Sequence, residues 1–104
     1  MAKNVIITGT SSGIGYELVK IFATKGHNVI ALSRNILPIN DLKLSNVYSI
    51  NFDINNNLDH KVLIKYISNN WEHVDILINN AGLLINKPFS MTTTEDFNKV
   101  YSTN

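Results

Sequence analysis

The segment TGTSSGIG, residues Thr8 to Gly15, follows the apolar run Val5-Ile6-Ile7 and places three glycines within eight positions. Glycine adopts backbone conformations that other residues resist, so this cluster predicts a tight turn. Beyond the turn the apolar residues take up the spacing of one helix face, at Ile14, Leu18, Ile21 and Phe22. The segment therefore constrains the chain to a strand, a glycine turn and a helix, in that order.

The rest of the chain repeats this alternation of strands and helices. Short apolar runs predict buried strands at Val29–Leu32, Val47–Phe52 and Val74–Ile78. Helical spacing recurs from Leu58 to Trp71, and Thr92–Glu95 has the hydroxyl and acid typical of a helix start. Strands that alternate with helices form parallel sheets with right-handed crossovers. We therefore expect one α/β domain, a doubly wound parallel sheet of about four strands with flanking helices.

The composition indicates a globular chain and excludes several classes of function. Hydrophobic residues make up 44% and charged residues 16%, which is not the composition of a disordered chain. The net charge of +1 and the scattered basic residues predict no nucleic-acid partner. The absence of cysteine excludes disulfides, thiolate nucleophiles and cysteine zinc sites. The histidines lie far apart, and we expect surface or helix-end roles and no metal site for them: His27, His60 and His73.

The apolar runs are short. The first one reaches the glycines too early for a secretory signal, and none approaches the roughly 18 apolar residues of a membrane span. We therefore expect a cytoplasmic protein without a membrane partner.

The glycine turn is a candidate anion site. A helix that begins at such a turn directs its first backbone N–H groups outward, beside the positive end of the helix dipole. Gly9 would permit the sharp turn, Gly13 would let a phosphate approach the backbone, and Gly15 would let the helix approach the sheet. Ser11 and Ser12 add hydroxyl donors. A glycine turn between strand and helix can also be purely structural, so both interpretations stay open here.

Polar candidates follow the predicted strands, where ligands of open parallel sheets bind. Arg34 stands about 20 residues past the glycines, where an acid would bind the ribose of NAD. A guanidinium there suits the 2′-phosphate of NADP and can stack on adenine, although a solvated surface arginine is the alternative. Asp53 fits a hydrogen bond to an adenine amino group, and it equally fits a cap on the polar turn at Asn55–Asn57. The fourth strand is followed by Asn80–Gly82.

Four motifs together resemble the short-chain dehydrogenase/reductase family, over essentially the whole chain: TGTSSGIG, Asp53 after the third strand, NNAG at Asn79–Gly82 and FNKVYSTN at Phe97–Asn104. The resemblance implies that residues 1–104 are the N-terminal part of a Rossmann-type domain that binds a nicotinamide dinucleotide. It implies cofactor contacts from these residues: Gly9, Ser11, Ser12, Gly13, Ile14, Gly15, Asp53, Ile54, Asn80, Ala81 and Gly82. Arg34 matches the basic position of NADP-preferring members, and Asn104 matches an asparagine that supports a proton relay near the active centre.

The family's catalytic serine and Tyr-x-x-x-Lys motif have no counterpart here. Tyr16 and Lys20 have that spacing, but counting about 100° per residue puts them opposite the predicted apolar face, so we expect both to face solvent. We therefore expect a truncated chain, the cofactor-binding part of an NADP(H)-dependent oxidoreductase. It would transfer hydride between NADP(H) and a small carbonyl compound or secondary alcohol. A non-catalytic dinucleotide-binding or interaction module is the alternative.

Truncation also predicts self-association. In the complete fold the strand Val74–Ile78 would be interior, whereas here it becomes an apolar edge with unpaired backbone groups. We expect this edge to pair with another copy, or the protein to form a homo-oligomer.

Overall fold

The computed structural model describes residues 2–80 of the chain. Their helices and strands are β1 (Asn4–Thr8), α1 (Gly13–Thr24), β2 (Asn28–Ser33), α2 (Leu37–Asn40), β3 (Val47–Asn51), α3 (Asn57–Asn70) and β4 (Ile76–Ile78). The strands form one parallel sheet in the order β3-β2-β1-β4. This confirms the doubly wound parallel α/β fold. The helix predicted after Thr92–Glu95 lies outside the described residues.

The two central strands, β1 and β2, are buried on both faces, which explains why they are almost continuously apolar. Val5 and Ile7 of β1 pack on the face that α1 and α2 cover, while Ile6 packs on the face that α3 covers. The same alternation continues in β2, where Ile30 and Leu32 pack towards α3. The predicted strands match the observed ones to within two residues at each end. The short helix α2 lies between β2 and β3, where the sequence patterns predicted neither a helix nor a strand.

Helix α1 packs on the sheet through its small side chains. The buried residues of α1 are Gly15, Val19 and Ala23. Ile14 and Ile21, by contrast, are 70% and 48% exposed. Of the predicted apolar face, only Leu18 and Phe22 pack against the core, and both side chains are partly buried. The predicted phase of this helix was therefore wrong, because small residues let the helix approach the sheet more closely than large ones.

Because α1 is rotated about its axis relative to the prediction, Tyr16 does not lie where we expected. Its side chain is partly buried and packs against the core between α1 and the sheet, rather than facing solvent. The Lys20 Nζ atom lies 5.4 Å from the centroid of the Tyr16 ring and 3.5 Å from the carboxylate of Glu17. Tyr16 therefore serves as a packing residue, with Lys20 beside it on the helix surface.

The C-terminal end of α1 is closed by a glycine, Gly26. This residue has φ +88°, and its N–H donates to the Ala23 carbonyl at 2.9 Å. The next N–H, from His27, donates to the Phe22 carbonyl at 3.1 Å. Together these bonds make a Schellman motif, and the Phe22 and His27 rings pack 5.8 Å apart across it. His27 thus has a helix-end role.

Helix α3 is held by its N-terminal cap and by two buried residues. The Asn56 side chain accepts hydrogen bonds from the backbone N–H groups of Leu58 and Asp59, which is a strong start signal for the helix. Leu63 and Ile67 are fully buried against the sheet. The apolar face that we predicted is narrower than expected, because Leu58 and Val62 are 69% and 53% exposed.

An aromatic stack joins α3 to the edge strand β3. The rings of Tyr48 and Tyr66 lie 4.0 Å apart and nearly parallel, at 8°. Burial, and secondarily the neighbouring Tyr48, raise the pKa of Tyr66 above its ordinary value of 10.0. The Tyr66 hydroxyl therefore stays protonated at neutral pH.

The amino ends of three strands are tied together by Asn4. Its side-chain amide donates to the His73 carbonyl at 2.9 Å and its side-chain oxygen accepts from Asn28 at 3.0 Å. Its backbone N–H donates to the Asp75 carboxylate at 2.8 Å, and the other carboxylate oxygen lies 3.1 Å from His73 Nε2. These bonds join β1 to its neighbours on both sides.

Replacing Asp75 tests this connection. Asp75→Ala removes the acceptor of the Asn4 N–H group, and we expect the free energy of unfolding to fall by about 1–2 kcal/mol. Asp75→Asn keeps an oxygen for that N–H group and should lose less. Urea unfolding followed by circular dichroism measures both variants. An equal loss in the two would show that the hydrogen bond is not the cause.

Replacing Gly15 tests the close approach of α1. A Cβ atom at this position would lie 2.2 Å from the Gly9 carbonyl oxygen and 2.7 Å from Asn80 Nδ2. Backbone must therefore shift in Gly15→Ala, and we expect a loss of about 1–3 kcal/mol in stability.

Gly13→Ala is the matched control, because its Cβ would meet nothing within 4 Å but would impose strain at φ +63°. Both variants should be less stable, but only Gly15→Ala should shift the backbone amide resonances of Gly9 and Asn80. Unshifted resonances in Gly15→Ala would contradict the packing described.

Candidate functional site

A cleft of about 260 Å³ opens at the carboxyl ends of the strands, and we call it the strand-end cleft. It is lined by Thr8, Gly9, Ser11, Leu32, Ser33, Arg34, Phe52, Asp53, Ile54, Asn55 and Asn79. Leu32 and Phe52 are buried and give the cleft an apolar floor, while the exposed Arg34 brings a positive charge. An apolar floor beside a cation suits a ligand that combines a flat ring system with an anionic group.

The turn between β1 and α1 leaves open space in front of the helix. Gly9 and Gly13 have φ values of +66° and +63°, the left-handed region that side chains disfavour. A Cβ atom on Gly13 would touch nothing within 4 Å, so the turn is open on that side. Ser12 caps α1 in an extended conformation without a side-chain cap bond. The first N–H groups of the helix have no intrahelical acceptor, as at any helix start, and can serve an anion.

The end of β4 is fastened to this turn through Thr8. The Thr8 hydroxyl donates to Asn79 Oδ1 at 3.0 Å and accepts the Asn80 N–H at 2.8 Å. The Asn80 side-chain amide donates to the Gly9 carbonyl at 3.3 Å. On the other side, the buried Thr10 donates from both its N–H and its hydroxyl to the Leu32 carbonyl of β2. The turn is thereby fixed between two neighbouring strands.

Arg34 projects from an ordered turn after β2. The Ser33 hydroxyl donates to the Asn35 carbonyl at 2.8 Å, and Asn35 Oδ1 accepts the Leu37 N–H at 3.2 Å. Within residues 2–80 the guanidinium of Arg34 forms no ion pair. The cation is therefore available to a ligand in the strand-end cleft.

The loop after β3 uses Asp53 as a turn residue. Asp53 Oδ1 accepts the Asn55 N–H at 2.9 Å, and the Asp53 carbonyl accepts the Asn56 N–H at 2.9 Å. The alternative of a turn cap is thus realised. Oδ2 accepts no hydrogen bond from the part of the chain that the structure describes, and Asp53 also lines the cleft. The carboxylate can hold its turn and still accept a bond from a ligand.

The structure brings many of the predicted site residues together. Those that line the cleft are Gly9, Ser11, Arg34, Asp53 and Ile54. Those at the helix start, outside the lining, are Ser12, Gly13, Ile14 and Gly15. Asn80 is bonded to the turn without lining the cleft, whereas Ala81, Gly82 and Asn104 lie outside the described residues. Neither Tyr16 nor Lys20 lines the cleft.

Sequence reasoning missed the lining residues that share strand ends with the predicted ones. They are Thr8, Leu32, Ser33, Phe52, Asn55 and Asn79. Each directly adjoins a predicted residue or stands within two positions of one, so extending every predicted contact by two residues along the chain would have found them. Across residues 2–80, no group of histidine, cysteine, aspartate and glutamate side chains can hold a metal ion, and no helix is long and apolar enough to cross a membrane.

Comparison with known proteins connects this geometry to a family. The sequence matches the short chain dehydrogenase family over residues 3–104. It is 36% identical to chlorophyll(ide) b reductase NOL, chloroplastic, of Oryza sativa subsp. japonica, over 97% of this chain and 32% of that protein. It is 31% identical to the NADP-dependent 3-hydroxy acid dehydrogenase YdfG of Escherichia coli K12, over 96% of this chain and 42% of that protein.

A solved structure agrees with these relatives. The short chain dehydrogenase of Leptospira borgpetersenii with bound NAD⁺ is 37% identical to this chain and superposes with a TM-score of 0.70. The match covers 96% of this chain and 39% of the Leptospira protein. The chain thus spans less than half the length of the proteins it resembles. The family match over nearly every residue, together with the glycine turn and cleft that the fold places at the strand ends, shows that this chain belongs to the short chain dehydrogenases.

Proposed function

We propose that this chain is the cofactor-binding part of an NADP(H)-dependent oxidoreductase that acts on a small carbonyl compound or secondary alcohol. The observation that carries the proposal is the strand-end cleft, where the glycine turn, Arg34 and the loop at Asp53 meet. A bound nicotinamide dinucleotide would supply or accept the hydride, while this chain binds and orients it.

Different parts of the cleft suit different parts of the dinucleotide. The open turn at Gly13 and the first N–H groups of α1 suit the diphosphate. The apolar floor made by Leu32 and Phe52 suits the adenine ring, with Asp53 as acceptor for its amino group. A volume of about 260 Å³ suits one end of a dinucleotide rather than the whole molecule.

The preference for NADP(H) over NAD(H) rests on Arg34. A guanidinium binds phosphate through two parallel hydrogen bonds, and this one is not engaged by an acidic partner in residues 2–80. Related proteins use either cofactor: YdfG is described as NADP-dependent, and the Leptospira enzyme holds NAD⁺. The choice in this chain therefore has to come from its own residues.

Hydride transfer also needs groups that move a proton to or from the substrate oxygen. We propose that the serine, tyrosine and lysine of the family are contributed from outside these 104 residues, with Asn104 supporting the proton relay and Ala81 and Gly82 extending the cofactor contacts. The compartment stays a prediction, because the relatives include a chloroplastic protein. Self-association through β4 also stays a prediction.

Titration with nucleotides tests the proposal. The chain should bind NADPH, and saturation at about 100 times the dissociation constant should stabilise it by about 2.7 kcal/mol. Calorimetric titration and the melting temperature measure the two effects, with nicotinamide mononucleotide as the control because it lacks the adenine end. An unchanged melting temperature in millimolar NADPH would sink the proposal.

Replacing Arg34 tests the cofactor preference. Arg34→Ala should weaken NADPH binding about tenfold while leaving NADH binding within about twofold, because only NADPH carries the 2′-phosphate. Arg34→Lys keeps the charge but not the forked donor geometry, so its affinity should be intermediate.

Lys65→Ala is the control for the loss of one positive charge, since Lys65 is exposed on α3 and does not line the cleft. Its NADPH affinity should equal that of the unchanged chain. Tighter binding of NADH than NADPH by the unchanged chain would refute the role given to Arg34.

A further inference from the structure

The loop that carries Ile54 is fastened to the first turns of α3 by two neighbouring side chains. Asp59 Oδ2 accepts the Asp53 N–H at 2.9 Å. The Nε2 atom of His60 lies 2.6 Å from the Ile54 carbonyl oxygen. The two contacts hold consecutive residues of the loop, and both of those residues line the strand-end cleft.

The chemistry of the His60 contact fixes the direction of the hydrogen bond. A backbone carbonyl can only accept, so Nε2 must carry a hydrogen and donate it. The same ring packs against Phe52, with centroids 5.1 Å apart and an interplanar angle of 44°. Phe52 forms part of the apolar floor of the cleft. His60 therefore contacts the floor through its ring and the adjoining loop through its Nε2 atom.

His60 is not one of the residues that pack α3 into the core. The side chain is only partly buried, and the residues that anchor α3 to the sheet are Leu63 and Ile67. Ile54 itself is 38% exposed, so its place in the cleft is not set by burial in the core. A hydrogen bond to its carbonyl restricts the loop conformation at the point where an apolar ligand surface would rest.

We infer that His60 is a positioning residue for the adenine end of the bound dinucleotide. Through the Nε2–H bond to the Ile54 carbonyl it keeps the Asp53–Asn55 loop in the conformation that forms the cleft wall. It does not contact the reacting atoms. This inference rests on the proposed function, because it assigns the cleft wall to the adenine end.

Two variants of equal length isolate the hydrogen bond. His60→Gln retains a side-chain N–H donor, whereas His60→Met is unbranched and similar in length but has none. We expect the Met variant to bind NADPH and adenosine 2′,5′-bisphosphate about threefold to tenfold more weakly, the effect of one hydrogen bond. The Gln variant should recover most of the affinity.

The readouts distinguish this role from a general loss of structure. Affinities come from calorimetric titration of the whole 104-residue chain, and amide hydrogen exchange at Asn55 and Asn56 reports the order of the loop. The Met variant should exchange faster at these amides, while the amides of Leu63 and Ile67 keep the protection of the unchanged chain.

The outcomes also separate this inference from the proposal beneath it. Failure of the unchanged chain to bind either nucleotide would overturn the proposed function and this role together. Binding by the unchanged chain with equal affinity in the Met variant would overturn the role of His60 alone. So would a Gln variant that binds as weakly as the Met variant.

Discussion

The fold and its cleft both depend on the contact between α1 and the turn after β1. Gly15 approaches the Gly9 carbonyl so closely that a Cβ atom would lie 2.2 Å from that oxygen. This approach seats the helix on the sheet through Val19 and Ala23, one and two turns further on. It also leaves the start of the helix at the carboxyl ends of the strands, facing the cleft. The lack of a side chain at Gly15 therefore allows both the close packing of α1 on the sheet and the position of the helix start beside the cleft.

The parts of the site that follow from local chemistry were predictable from the sequence. Positive φ at Gly9 and Gly13 is a requirement of the chain itself, so the glycine pattern revealed the turn. A parallel sheet has the carboxyl ends of all its strands on one side, so Arg34 and Asp53 could be placed beside that turn from the sequence alone. The order of the described strands and longer helices followed from the alternation of apolar periods.

The phase of α1 was not predictable from hydrophobicity, because tertiary packing selected the small face. Ile14 and Ile21 are larger than the buried Val19 and Ala23, yet the close approach of α1 at Gly15 leaves both isoleucines exposed. The links to the loop after β3 were missed for a similar reason. Asp59 and His60 act on residues six positions earlier, through contacts that depend on how α3 returns to the sheet. No helical or strand period carries that information.

The polar side chains at the amino ends of the strands stabilise the fold, whereas some of those at the carboxyl ends remain available to a ligand. At the amino ends, the Asp75 carboxylate accepts the Asn4 backbone N–H, and the Asn4 side chain bonds the His73 carbonyl and the Asn28 side chain. At the carboxyl ends, Thr8 and Asn80 fasten the backbone, while the Arg34 guanidinium and Asp53 Oδ2 have no partner in the described part of the chain. Backbone that is fixed before a ligand arrives loses little entropy on binding. The polar groups left over can then favour the ligand rather than the fold.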